Sequence, residues 1–365
     1  MNARRLVGAL LLACVAASLL AGITGGLLRV GIAATDAPWL GRAALAHAAL
    51  MMCGFMGTVI GIERAVAAKR RLAWAPPLLS GAAGLLLLRG VDTAAGILLV
   101  AAGIAFIAVN VLLLRRQRAP HTMLLLASAC AWAVGNLLFA AGAASTAVLP
   151  WWFAFLVITV AAERLEMTRL MRRRPAAQPA LAVILALVLL GAGASAFTPA
   201  AGGALFGSAI FALALWLFTF DIARRTVRAQ GLPRYMAVCL LGGYAWLAAG
   251  GVAWAATALG WPARDLALHA LGLGFLVSMI LGHAPVILPA IARVKLLFGN
   301  FFYLPLAALH ASLLLRLGAG FLDFGARRTG ALFNALSIAL FALTVLGAAF
   351  AWRRRHGGRP SGSPP

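Results

Sequence analysis

The sequence predicts an all-α, polytopic membrane bundle of about 12 spans, and three observations carry that reading. Apolar residues make up 64% of the 365-residue chain and charged residues only 11%, more apolar surface than a soluble domain of this size could hide. The apolar residues fall into runs near the roughly 20 residues that a helix needs to cross a bilayer. Lys and Arg cluster in alternate loops, which is the positive-inside pattern.

The first run, 6–30, is too long for a signal-peptide core and lacks a small-residue cleavage site, so it reads as a retained helix. Further spans fall at about 40–66, 73–89, 93–114, 121–144 and 149–171, then at about 179–197, 202–221, 234–258, 265–290, 299–317 and 329–352. The runs at 73–89 and 179–197 have the weakest pattern. Residues 1–355 form a single integral-membrane domain. Residues 356–365 are rich in Gly, Pro and Ser and are expected to be a disordered cytoplasmic tail. With the N-terminus inside, 24 of the 31 Lys and Arg residues lie on the inner side and seven outside, Arg316 among the seven. Both termini are then cytoplasmic, and the expected location is a bacterial inner membrane. The same layout accounts for the net charge of +23 without a nucleic-acid partner, so the partner implied is the bilayer.

Histidine is costly inside a membrane and marks function there by default. Six occur: His47, His121, His269, His283, His310 and His356. At about 1.5 Å of rise per residue, His47 and His269 lie at a similar shallow depth near the outer surface, and His310 falls in the same outer third. His283 lies about 21 Å deeper than His269, on nearly the same helix face. It shares its depth with Glu63 and Glu163, and Pro285 and Pro289 are expected to loosen the helix beside it. His47, Met51, Gly54, Thr58 and Gly61 share one face of span two, whose small residues admit a neighbouring helix or a flat ring. His121 reads as a solvated helix-end residue.

Two neutral imidazoles from facing helices can hold a haem iron from both sides, and imidazole also suits copper. His47 and His269 are the expected haem pair, with His310 a candidate second ligand. Met51, one turn from His47, is a candidate soft ligand, and His283 completes the candidate metal-binding residues. Each histidine could instead bond between helices, and Met51 could be ordinary core. Glu63, Arg64, Glu163 and Arg164 read as structural ion pairs, for example Glu63 with Arg164. Glu63-Arg64 and Glu163-Arg164 form a faint internal echo. Cys14, Cys53, Cys130 and Cys239 lie in apolar runs without CxxC spacing and read as small buried side chains. No Gly-rich phosphate loop, HExxH motif or outer-half acid pair is present, which argues against acid–base hydrolysis.

The chain resembles the NnrS family of twelve-span bacterial haem- and copper-binding membrane proteins. His47-Ala48-Ala49-Leu50-Met51 followed by Gly54-Phe55 fits that family's span-two pattern. His269-Ala270-Leu271, followed by Gly274 and Met279-Ile280-Leu281, fits its later motif. Where the family pattern has a second histidine and an acid, this chain has Ala49 and Leu50, and the family's later histidine lies beyond the position of His283. The family is in turn more distantly similar to the catalytic subunit of haem-copper oxidases. The resemblance implies b-type haem, with copper as a second metal, and a role in nitric oxide metabolism or nitrosative stress. It also implies a membrane or periplasmic electron-transfer partner and leaves open whether there is haem-dependent redox turnover. Two other readings stand beside it: a proton-coupled transporter built around His283, Glu63 and Glu163, and a maturation factor holding haem or copper in transit.

Overall fold

The computed structural model describes residues 3–32, 37–167, 175–292 and 294–356. The basic positions Arg169, Arg172, Arg173, Arg174 and Arg293, and the tail after His356, lie outside the described residues. Twelve helices are long and apolar enough to cross a membrane, matching the expected all-α bundle. In chain order, spans one to six are Leu6–Arg29, His47–Ala68, Arg71–Arg89, Asp92–Arg116, Pro120–Ala140 and Ser145–Met167. Spans seven to twelve are Ala177–Ala194, Pro199–Phe220, Leu232–Ala258, Arg264–Pro289, Asn300–Leu322 and Phe324–Arg355. Among the described residues there is no strand.

Helix boundaries follow from local chemistry. Pro120 and Pro199 open spans five and eight, where a missing N–H costs no helical bond. Gly90, at φ 76°, ends span three in the left-handed region that only glycine enters freely, and a side chain there would also meet the Arg42 guanidinium. Short connections make successive spans antiparallel neighbours: three packs on four, four on five, five on six, seven on eight, and eight on nine. Small residues allow the tightest of these approaches. A side chain at Gly207 in span eight would collide with the span-nine backbone at Gly251 and Ala255.

Spans one and twelve also touch. Span six is the most enclosed, with 83% of its apolar window buried, while span twelve has only 11% buried. Span six is therefore the internal pillar, and span twelve presents most of its surface to lipid. Around the pillar, Trp132 stacks on Phe155 at 5.2 Å, and Phe106 meets both rings edge-on.

Three spans contain a wider, π-helical stretch: Leu50–Gly57 in span two, Ala270–Val277 in span ten and Leu314–Ala319 in span eleven. Such segments are uncommon and concentrate at functional sites. The expectation for span ten is corrected here. Its irregularity lies directly after His269, whereas the helix Ser278–Ala292 runs on through Pro285 and Pro289.

Candidate functional site

His47 and His269 come together from spans two and ten, with ring centroids 6.4 Å apart and ring planes inclined by 33°. Both line one cavity of about 670 Å³. Span one builds the seat for His47. The His47 Nδ1 lies 2.7 Å from the carbonyl oxygen of Gly22. A carbonyl only accepts, so Nδ1 carries the proton and the lone pair of the neutral ring sits on Nε2. Gly26, one turn further along, is also required: a Cβ there would stand 2.9 Å from His47 Cε1. A Cβ on Gly22 would stand 2.5 Å from Met51 Sδ, so the same glycine makes room for that thioether. Met51 also lines the cavity.

His269 is fixed from its own helix. Its Nδ1 lies 2.9 Å from Asp265 Oδ1 and 3.0 Å from the Asp265 carbonyl oxygen. Both partners accept, so Nδ1 again carries the proton and Nε2 the lone pair. Asp265 and His269 stand four residues apart and therefore share a helix face. Arg316 closes the group from span eleven. It binds Asp265 through two contacts, Nε to Oδ2 at 3.2 Å and Nη2 to Oδ1 at 2.9 Å. The same Nη2 lies against the His269 ring, 3.1 Å from Nε2 and 3.2 Å from Nδ1. Arg316 is only 7% exposed and sits within the π-helical stretch of span eleven. With Asp265 as counter-ion the guanidinium can remain inside the helix bundle.

Arg29, Arg264 and Arg327 line the same cavity, as does Asn334, whose buried Oδ1 has no partner among the described residues. The remainder of the wall is largely apolar, with Phe55, Trp152 and Phe153 among its aromatic members. An apolar chamber with a few convergent polar groups and a cluster of arginines suits a large, flat, partly anionic ligand.

His310 does not join this pair. Trp246 Nε1 donates to its Nδ1 at 2.7 Å, and the two rings meet edge to edge, nearly coplanar at an interplanar angle of 10°. His310 is not among the residues that line the chamber of His47 and His269. The structure therefore does not bring the expected second ligand to the pair. His283 donates from Nδ1 to the Met279 carbonyl oxygen at 2.7 Å and does not line the chamber. Among the described residues no group of three or more His, Cys, Asp or Glu side chains is arranged to hold a metal ion.

At the opposite end of the bundle the ion pairs differ from the pairing expected. Arg64 bridges Glu63 at 2.6 Å and Glu163 at 3.1 Å. Arg164 instead forms a two-point pair with Asp221, Nε to Oδ2 at 2.8 Å and Nη2 to Oδ1 at 3.2 Å. The two Glu-Arg dipeptides thus meet in space, and each arginine takes the partner nearer its own fork. His121 is buried, with its Nε2 3.8 Å from Glu166, and is not a solvated helix end.

Sequence reasoning missed Gly22, Gly26, Asp265, Arg316 and Asn334 as members of the site. Two signals were available. Asp265 precedes His269 by one helical turn, and Gly22 and Gly26 show the same spacing in span one.

Fold and site together define a twelve-span helical membrane protein with a paired-histidine chamber toward one end of the bundle. The chain belongs to the family described as a domain of unknown function (DUF8744), whose model matches residues 5–350 and so runs from span one into span twelve. No curated protein matches the chain.

Proposed function

We propose that this is a b-type-haem-binding protein of the bacterial inner membrane, in which His47 and His269 would hold the haem. One observation carries the reading. Two imidazoles from different spans face one apolar chamber, each with Nδ1 committed to an acceptor and its lone pair on Nε2. Two imidazoles that share one iron through metal–nitrogen bonds of about 2 Å have ring centroids about 6 Å apart. The 6.4 Å separation observed here fits that requirement.

The donor set fits haem better than copper. The lining residues offer no third imidazole and no thiol, only the thioethers of Met51, Met52 and Met56, whereas a porphyrin brings its own four nitrogens and would ask the protein for two ligands. A haem bound by two imidazoles supplies one-electron transfer. The chain's own residues do the rest. The Gly22 carbonyl and Asp265 hold each ring in the ligating tautomer. Arg29, Arg264 and Arg327 offer positive charge to carboxylates on the ligand's edge. Arg316 keeps its pair with Asp265 while giving up its contact to His269 Nε2. The apolar wall keeps water from the centre. The resemblance to NnrS proteins favours a role in nitrogen-oxide metabolism or nitrosative stress, with copper as a secondary metal and a membrane or periplasmic electron-transfer partner.

The absorption spectrum of the purified full-length protein tests the reading. Haem-replete expression should give a Soret band with low-spin α and β features. His47→Ala and His269→Ala should each abolish or strongly shift it, while His310→Ala and His121→Ala leave it unchanged. Colourless wild-type protein, or an unaltered low-spin spectrum in both the His47 and the His269 variant, would overturn the assignment.

A further inference from the structure

A second cavity, of about 550 Å³, lies at the end of the bundle opposite the histidine pair. Spans two, four, six and ten reach it with their final turns and span five with its first, so it lies at the edge of the membrane rather than at its middle. Its surface is mostly apolar, with Val66, Ala67, Leu113, Leu125, Val286 and Ile287 upon it. Val66, Val286 and Ile287 are themselves exposed, at 41%, 46% and 36%. The apolar side of the cavity therefore runs out to the surface that faces lipid.

A polar strip crosses this surface, and it carries one charge of each sign that is still available. Arg116 donates from Nη1 to the Ala68 carbonyl oxygen at 2.7 Å, and no acid pairs with it among the described residues. Glu166 has its side chain 43% exposed, and its partner among the described residues, His121 Nε2, stands 3.8 Å away, too far for a hydrogen bond. Glu63 and Arg64 line the cavity too, but they are already paired with each other at 2.6 Å. Arg64 Nε, a donor, and Asn110 Oδ1, an acceptor, are buried in the same wall without a partner among the described residues. Folded proteins leave few such atoms unmet, and where they do, a polar ligand or water belongs beside them.

We propose that this cavity seats the head of a zwitterionic aminophospholipid, with the phosphate on Arg116, the ammonium on Glu166, and the acyl chains leaving across Val66, Val286 and Ile287. Three properties select that ligand. The two available charges have opposite sign, so a purely anionic head would leave Glu166 unmatched and be repelled by it. The apolar exit calls for hydrocarbon, which neither free phosphate nor a soluble zwitterion has. The position at the end of the spans matches the level of lipid heads, where pockets between helices hold them by charge pairing. By the count of basic residues this is the cytoplasmic leaflet. The proposal stands apart from the haem reading, because no residue that lines this cavity lines the histidine chamber.

Native mass spectrometry of the full-length protein, released from a mild detergent, tests it. Delipidated protein is titrated with phosphatidylethanolamine, with phosphatidylglycerol of the same acyl chains, and with glycerophosphoethanolamine, which is the head without the chains. Phosphatidylethanolamine should give the highest occupancy of the three. Arg116→Gln and Glu166→Gln should each lower its affinity about three- to fivefold, the effect expected of a partly exposed ion pair. Glu166→Gln should also narrow the gap to phosphatidylglycerol, because the acid that repels the anionic head is gone. A thermal melt checks that both variants fold. Equal or stronger retention of phosphatidylglycerol by the wild type would overturn the proposal without recourse to any variant. Equal binding of glycerophosphoethanolamine would mean a site for a soluble zwitterion and would overturn it too, as would unchanged phosphatidylethanolamine affinity in both variants. Protein prepared without haem should give the same result, so failure of one reading leaves the other standing.

Discussion

Replacing Asp265 by alanine should weaken haem binding about ten- to hundredfold and also lower stability, since Arg316 then lacks its counter-ion. Asp265 has two partners, His269 Nδ1 at 2.9 Å and the fork of Arg316, and its side chain is 26% exposed. A hydrogen bond to a charged acceptor contributes about 1.5–3 kcal/mol, and 1.4 kcal/mol is a factor of ten, so losing the His269 contact alone predicts the stated range. The ligating tautomer should survive, because the Asp265 backbone carbonyl, 3.0 Å from Nδ1, remains. The loss therefore comes from a less basic, less firmly oriented ring, and from an Arg316 guanidinium free to turn fully onto His269 Nε2. The assay is a haem titration of protein prepared without haem, followed by absorbance in detergent, with a thermal melt as a check on folding. Adding Arg316→Leu to Asp265→Ala should restore part of the affinity, since the competing cation is then gone. A folded Asp265→Ala protein with wild-type affinity would refute the argument that Asp265 orients a ligand.

Two further outcomes follow from the packing. Arg164→Ala leaves Asp221 buried without its two-point partner, a loss of about 3–5 kcal/mol. Membrane-inserted protein should fall sharply on quantitative blotting, and the double replacement Arg164→Leu with Asp221→Leu should recover much of it. Normal abundance of Arg164→Ala would show that the pair is not structural. Gly26→Ala places a methyl group 2.9 Å from His47 Cε1, so the ring must move. That variant should express normally but show reduced haem occupancy or a shifted Soret band, and an unchanged spectrum would detach His47 from its seat on span one.

The bundle was legible because crossing a bilayer demands long apolar runs, and those runs stand out even in spans three and seven. The histidine pair was legible from depth alone, since a fixed rise per residue brings His47 and His269 to one level. Orientation within the bundle was not. Arg316 counts as an outer-side cation in any tally of basic residues, and only the packing of span eleven against Asp265 shows that it points inward. The two Glu-Arg dipeptides each admit several partners, and the choice of Arg64 for Glu163 and Arg164 for Asp221 depends on side-chain reach across helices. The fate of His310 turns on its meeting Trp246 rather than the chamber, which no spacing rule encodes. The prolines of span ten misled for a related reason. Proline removes a backbone donor, yet the helix Ser278–Ala292 continues through both, and the ladder widens instead just beyond His269.

That widening alters what a helical wheel can say about these spans. A π-helical turn holds an additional residue, so everything beyond it is advanced by about one helical position, roughly 100°, against the wheel of the residues before it. In span two the stretch Leu50–Gly57 lies between His47 and Glu63, and in span ten Ala270–Val277 lies between His269 and His283. The turn works as a phase shifter. The half of each helix that faces the histidine chamber and the half that faces the carboxylates can be aimed independently, although one continuous rod joins them. A residue gained or lost within either stretch would rotate one end and leave the other in register, so sequences related to this one can keep the chamber while remodelling the opposite end.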